Sequence, residues 1–153
     1  MLNFLRSQNQ PHWPHNLTMA RLVARALRLG RSALIQTASP PGRHNQQYQL
    51  SYLLPILIWP RKTILVAPQS LQEHLITVEI PRLLATNSQI SSSLPKKVIQ
   101  TNLPQGPDFN GLLLMRPEAW LINQWQDDQF SKGTPTIIDW ADDLETWVQN
   151  YLD

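Results

Sequence analysis

Short apolar runs alternating with longer helix-period segments limit what this chain can build more than any other feature of it. Lys62–Ala67 (KTILVA), Lys97–Thr101 (KVIQT), Gly111–Met115 (GLLLM) and Thr134–Trp140 (TPTIIDW) each predict a strand, and Ser32–Thr37 (SALIQT) predicts a further one. Most lack a regular polar–apolar alternation, as expected of strands covered on both faces. Helices are predicted at about Leu17–Leu29, Gln47–Trp59, Gln69–Leu84, Pro117–Trp125 and Ala141–Tyr151. Strands taking turns with helices argue for an α/β fold: an open, mostly parallel sheet with helices on both faces. At 153 residues the chain suits one domain with a proper core. The expected division is a polar N-terminal arm over residues 1–15 and a folded domain over 16–153.

Local signals refine the helices. Asn16 is the expected N-cap of the first, with Met19, Val23, Ala26 and Leu27 on one face and Arg21, Arg25 and Arg28 on another. Gly30 is expected to end it. The second reads as buried, with Pro55 as a kink point, and the third as broken near Pro81. Ala38–Gln47, Ser88–Ser93 and Asn102–Phe109 read as loops or linkers.

Composition removes several function classes. The chain has no cysteine, which excludes disulfides, thiol chemistry and a thiolate-held iron–sulfur cluster. The longest apolar run, Leu50–Trp59, is too short to cross a bilayer, and Met1–Gln10 lacks the apolar stretch of a signal peptide. A cytoplasmic location and no membrane partner are expected. Charge is lopsided: residues 1–72 hold eight Arg/Lys and no acid, whereas residues 117–153 hold eight acids against Lys132. A basic half suits a polyanion partner such as DNA, and equally an acidic tail within the same fold or a solvated surface.

In such a sheet, ligands bind beyond the carboxyl ends of the strands. That rule selects the Thr37–Gln47 loop, the loop after Ala67 and the strand end at Asp139. A phosphate-binding P-loop needs glycines, a lysine and a Ser/Thr between strand and helix. Laid on that pattern, Thr37-Ala38-Ser39-Pro40-Pro41-Gly42-Arg43-His44 matches only at Gly42. Arg43 stands at the lysine position and His44 at the Ser/Thr position, and the two prolines donate no N–H.

The order of the surrounding pieces carries more. Ala33-Leu34-Ile35-Gln36-Thr37 is followed by Tyr52-Leu53-Leu54-Pro55, then Thr63-Ile64-Leu65-Val66-Ala67-Pro68, then Ser70-Leu71-Gln72-Glu73-His74-Leu75 and Ile80-Pro81. Gly111–Met115 with Pro117–Leu121 comes next, and Thr136-Ile137-Ile138-Asp139-Trp140-Ala141-Asp142-Asp143-Leu144-Glu145 closes the series. This succession, spanning almost the whole chain, resembles the first RecA-like motor domain of the DinG/XPD-type superfamily 2 DNA helicases. The resemblance implies an incomplete P-loop NTPase fold. It assigns Thr37, Ser39, Gly42, Arg43, His44 and Asp139 to a nucleotide site, and Pro68, Gln69 and Ser70 to contact with a DNA strand.

The departures point away from hydrolysis. The family's last motif reads Asp-Glu-Ala-His, where the Asp holds magnesium through water and the Glu positions the attacking water. Here the four positions are Asp139, Trp140, Ala141 and Asp142, and Trp140 does neither task of a glutamate. The stretch between Gln36 and Tyr52 is about five residues longer than the family's loop, and the family's cluster cysteines are absent. The resemblance implies a second motor domain, which supplies the other half of the ATP site. Losing such charged and positioning groups costs several kcal/mol of barrier each, on the order of a thousandfold in rate.

The leading expectation is a degenerate motor domain serving as a nucleic-acid-binding or scaffolding module. It has no catalytic residue of its own and no cofactor, unless the altered loop still takes ATP and magnesium. Two alternatives stay open: the N-terminal piece of a longer ATP-dependent helicase in which Arg43 takes the phosphate, and a protein-interaction domain with neither ligand. Partners are then DNA, a second motor domain or another protein. No metal site is expected. His12 and His15 lack an acidic neighbour, and His44 and His74 lack a spaced partner. Trp120, Trp125, Trp140 and Trp147 are expected in packing rather than base stacking, and Asp142, Asp143 and Glu145 as the acidic start of a helix.

Overall fold

The computed structural model describes residues 13–31, 33–35, 49–86, 97–101, 111–126 and 133–152. Helices α1 (Trp13–Leu29) and α2 (Gln49–Ile58) precede strand β1 (Thr63–Val66). A long helical segment follows, made of α3 (Gln69–His74), a π-helical turn (Leu75–Glu79) and α4 (Ile80–Thr86). Then come β2 (Lys97–Thr101), β3 (Gly111–Met115), α5 (Pro117–Trp125), β4 (Thr136–Ile138), a 3-10 turn (Ala141–Asp143) and α6 (Leu144–Leu152). The four strands form one sheet in the order β2-β3-β1-β4, and every pairing is parallel. The α/β class and the parallel sheet are therefore as the sequence predicts.

Central strand β1 pairs with β3 from Thr63↔Leu112 to Val66↔Met115, and with β4 from Ile64↔Thr136 to Val66↔Ile138. Its side chains alternate between two cores, as strand geometry requires. Leu65 and Ala67, with Leu112 and Leu114 of β3, face a large core closed by α1, α2, α3 and α4. Ile64 and Val66, with Leu113 and Met115, face a smaller one closed by Ala119 and Trp120 of α5. Helix α2 is buried from Gln49 to Leu57 with Pro55 inside it, and α6 packs beside α5.

Several expected boundaries move. Helix α1 begins at Trp13, so Asn16 lies within it rather than capping it, and the helix takes in the end of the expected arm. Pro14 allows this, because first-turn N–H groups have no intrahelical acceptor and proline loses nothing there. At the other end Gly30 (φ 60) sits left-handed while Arg31 N–H reaches back to Ala26 C=O at 3.0 Å, which closes the helix as expected. Ala33–Ile35 are not a strand, and Leu34 is 91% exposed. Apolar content alone does not make a strand without a neighbour to pair with.

Pro81 does not break its helix. A proline removes one backbone donor and crowds the preceding turn, and here the wider π turn just before it absorbs the misfit while the helix continues. That turn gathers buried Glu79 with His74 (3.2 Å) and Arg82 (2.9 Å). Strand β4 is shorter than Thr134–Trp140, since Pro135 lacks an N–H and Trp140 turns left-handed at φ 57. The loops expected at 88–93 and 102–109, like the 38–47 loop, lie outside the described residues.

Leu65→Ala empties a fully buried site on the central strand and is expected to cost about 2–5 kcal/mol in urea unfolding. Val78→Ala, on an exposed part of the π turn, is expected to cost about 0.5 kcal/mol or less.

Candidate nucleic-acid interface at the sheet's carboxyl edge

Strand order decides where a ligand fits. From β1 the chain passes beyond β3 to reach β2, by way of α3 and α4 on the large-core face. From β3 it passes beyond β1 to reach β4, by way of α5 on the other face. Neighbouring strands β1 and β3 thus send their helices to opposite faces and in opposite directions. The loops at their carboxyl ends separate and leave a crevice, the switch point at which open parallel sheets bind ligands.

A cavity of about 270 Å³ occupies that position, lined by Pro68, Gln69, Arg116, Pro117, Glu118 and Trp147. Pro68 and Gln69 lead from β1 into α3. The loop is set by Gln72, whose buried side-chain amide donates to Ala67 C=O at 2.8 Å, and by Gln72 N–H donating to Pro68 C=O at 3.0 Å. Arg116 is the N-cap residue of α5 in extended conformation, with Pro117 behind it as the favoured first helical residue. The Arg116 guanidinium donates to the side-chain oxygen of Gln69, and the Gln69 amide donates to Glu73 at 2.9 Å. Trp147 comes from α6, half-buried.

The crevice brings together a guanidinium, an amide, an aromatic ring and the start of a nine-residue helix. The first three suit, in order, a phosphate oxygen, a sugar or phosphate oxygen and a base face, and the helix start favours an anion. Glu118, in the first turn of that same helix, puts a carboxylate on the rim and offsets this preference.

The sequence-predicted residues divide sharply. Pro68 and Gln69 line the crevice, and Ser70 is exposed beside them without lining it. Thr37, Ser39, Gly42, Arg43 and His44 lie outside the described residues, as does His12. Arg116 and Glu118 were missed, although the same strand-end rule that singles out Ala67 applies to Met115 as well. Trp147, expected in packing, is half-buried and also lines the crevice.

Asp139 sits apart from the crevice, at the end of β4, and is 8% exposed. Its Oδ2 accepts from the Tyr52 hydroxyl at 2.6 Å and its Oδ1 from the Trp140 N–H at 2.8 Å, while its own N–H extends the β1 pairing to Val66 C=O at 3.0 Å. The carboxylate thereby ties α2 to the sheet across 87 residues of chain. Trp140 packs on the large core in a left-handed conformation that bulky residues rarely hold. Asp142 and Asp143 occupy the 3-10 turn and Glu145 the first turn of α6. Among the described residues no three His, Asp or Glu side chains converge as a metal cluster, and no helix is long and apolar enough to cross a membrane.

No protein-family model, curated protein or solved structure matches the chain.

Tyr52→Phe removes the hydroxyl that serves a buried carboxylate and is expected to cost about 1–3 kcal/mol in chemical unfolding. A double-mutant cycle with Asp139→Asn is expected to return a coupling energy above about 0.5 kcal/mol, and a value near zero would show that the bond contributes nothing.

Proposed function

We propose that this chain is a nucleic-acid-binding module built like the RecA-like motor domain of the DinG/XPD helicases, which grips a phosphate backbone without hydrolysing ATP. The observation that carries the reading is the switch-point crevice, where Gln69, assigned to strand contact by the resemblance, meets Arg116 and Trp147. A guanidinium beside an indole accommodates one nucleotide unit, phosphate on the cation and base on the ring. Base contact through stacking is tolerant of sequence, so the module binds many sequences alike.

The described part of the implied ATP site offers little support for magnesium or nucleotide. Of the residues assigned to it, Asp139 alone is described, and both of its oxygens already accept hydrogen bonds from Tyr52 and Trp140. At the adjoining position Trp140 stands where the resemblance implies a water-orienting carboxylate, which argues against hydrolysis.

Two measurements test the reading. A fluorescent ATP analogue with magnesium is expected to show no saturable binding up to millimolar concentration, and ATP turnover stimulated by an oligonucleotide would overturn the non-hydrolysing part. Fluorescence anisotropy with a single-stranded 30-mer is expected to give salt-dependent binding. Arg116→Ala and Trp147→Ala should each weaken it by about tenfold, or roughly 1.4 kcal/mol. Unchanged affinity in both variants would remove the crevice from the interface.

A further inference from the structure

The crevice leaves one strongly charged surface unexplained. Along α1, Arg21, Arg25 and Arg28 are all exposed, and Arg31 is exposed just past the helix end. Arg21, Arg25 and Arg28 fall within an arc of about 60° on a helix of 3.6 residues per turn. Leu22 and Leu29, 45% and 48% exposed, continue the same outward side. Ala20 and Val23 on the far side are buried in the large core, and so is Leu17, one turn before Arg21. The arginines are therefore fixed outward by the packing beneath them.

Among the described residues no acid pairs with Arg21, Arg25, Arg28 or Arg31. Helix α1 has no acidic residue, and neither does α2, against which it packs. A structural role at the helix C-terminus accounts for Arg28, which lies in the last turn, but not for Arg21 or Arg25 further back. Three guanidinium groups along one helix face, with a fourth just past its end, concentrate positive charge that favours a polyanion.

The geometry points to this ridge as a second phosphate-backbone contact, on the large-core side of the sheet and separate from the crevice. Arg21 to Arg28 spans about 10 Å of helix axis, close to three nucleotide steps at about 3.4 Å of rise along one strand. Guanidinium forks suit successive phosphates, and Leu22 and Leu29 offer apolar shoulders for sugar or base faces. The contact reads charge and spacing and carries no sequence preference.

This inference deepens the nucleic-acid reading, and the test separates the two. The full chain is titrated with a fluorescent 30-mer, single-stranded and duplex, over a range of salt concentrations. The variants are Arg21→Gln/Arg25→Gln/Arg28→Gln and, separately, Arg116→Ala. Glutamine matches arginine closely in helix propensity and these sites are exposed, so the triple variant should fold, and its far-ultraviolet circular dichroism should be unchanged. The salt slope of log affinity is expected to become shallower by about 2 for the single strand, or about 3 for the duplex, in the triple variant, and by about 1 or less in Arg116→Ala.

A triple variant with the wild-type slope, beside a weakened Arg116→Ala, overturns the ridge and leaves the crevice standing. A shallower slope in the triple variant alone supports the ridge and removes the crevice. If the wild-type chain binds neither oligonucleotide, both readings fall. Sedimentation with phosphatidylserine vesicles is run in parallel. Vesicle binding lost in the triple variant while its DNA affinity stays unchanged would overturn the proposal in favour of an anionic membrane surface.

Discussion

Strand β1 is paired on both edges and covered on both faces, and the remaining elements take their places around that requirement. A parallel strand in this position must be apolar on both sides, and Ile64, Leu65 and Val66 are fully buried. Covering both faces demands helices on each, supplied by α1 to α4 on one side and α5 on the other. Parallel pairing also forbids tight hairpins, so the β1-to-β2 and β3-to-β4 connections are crossovers that carry helices. The two cores are thus consequences of one short strand rather than separate inventions.

The crevice follows from the same constraint. Right-handed crossovers that leave adjacent strands in opposite directions must use opposite faces, and the loops that start them then part. Side chains at those starts need not be buried, which is why a polar set such as Gln69, Arg116 and Glu118 is tolerated there at little cost in stability. Asp139 is the contrast. It stands at the end of β4 but is roofed by Tyr52 from α2, and its charge serves to fasten a buried helix to the sheet. Two strand ends that look alike in sequence therefore differ in structure, an open crevice at one and a buried tie at the other.

Much of the fold was legible in the residues. Lys97–Thr101, Gly111–Met115 and Pro117–Trp125 have the predicted limits, because glycine and proline mark element starts through backbone chemistry that tertiary context seldom overrides. Less legible were features that depend on a partner. Ala33-Leu34-Ile35 has strand-like residues, but a strand exists only with a ladder beside it, and pairing is not written in three residues. The π turn before Pro81 was unreadable because single prolines admit several remedies, and packing of Leu75, Ile80 and Leu83 on the core selects the one that keeps the helix continuous. For the crevice, Pro68 and Gln69 were legible from the strand-end rule. Arg116 and Glu118 were within reach of that rule at Met115, but their meeting with Gln69 and Trp147 required the strand order, since nothing in the sequence says that β3 inserts beside β1.

Trp140 joins the structural and functional arguments. A bulky residue held left-handed carries backbone strain of about 1–3 kcal/mol and persists only where its surroundings fix it. Here the fixing contacts are visible: its N–H is held by Asp139 and its ring packs on the large core. A solvated glutamate at this position would forfeit the ring's packing while keeping the strained backbone. The left-handed turn and the indole therefore belong together, and they direct the strand end inward to Tyr52 and the core. In a domain arranged this way, the end of β4 serves cohesion.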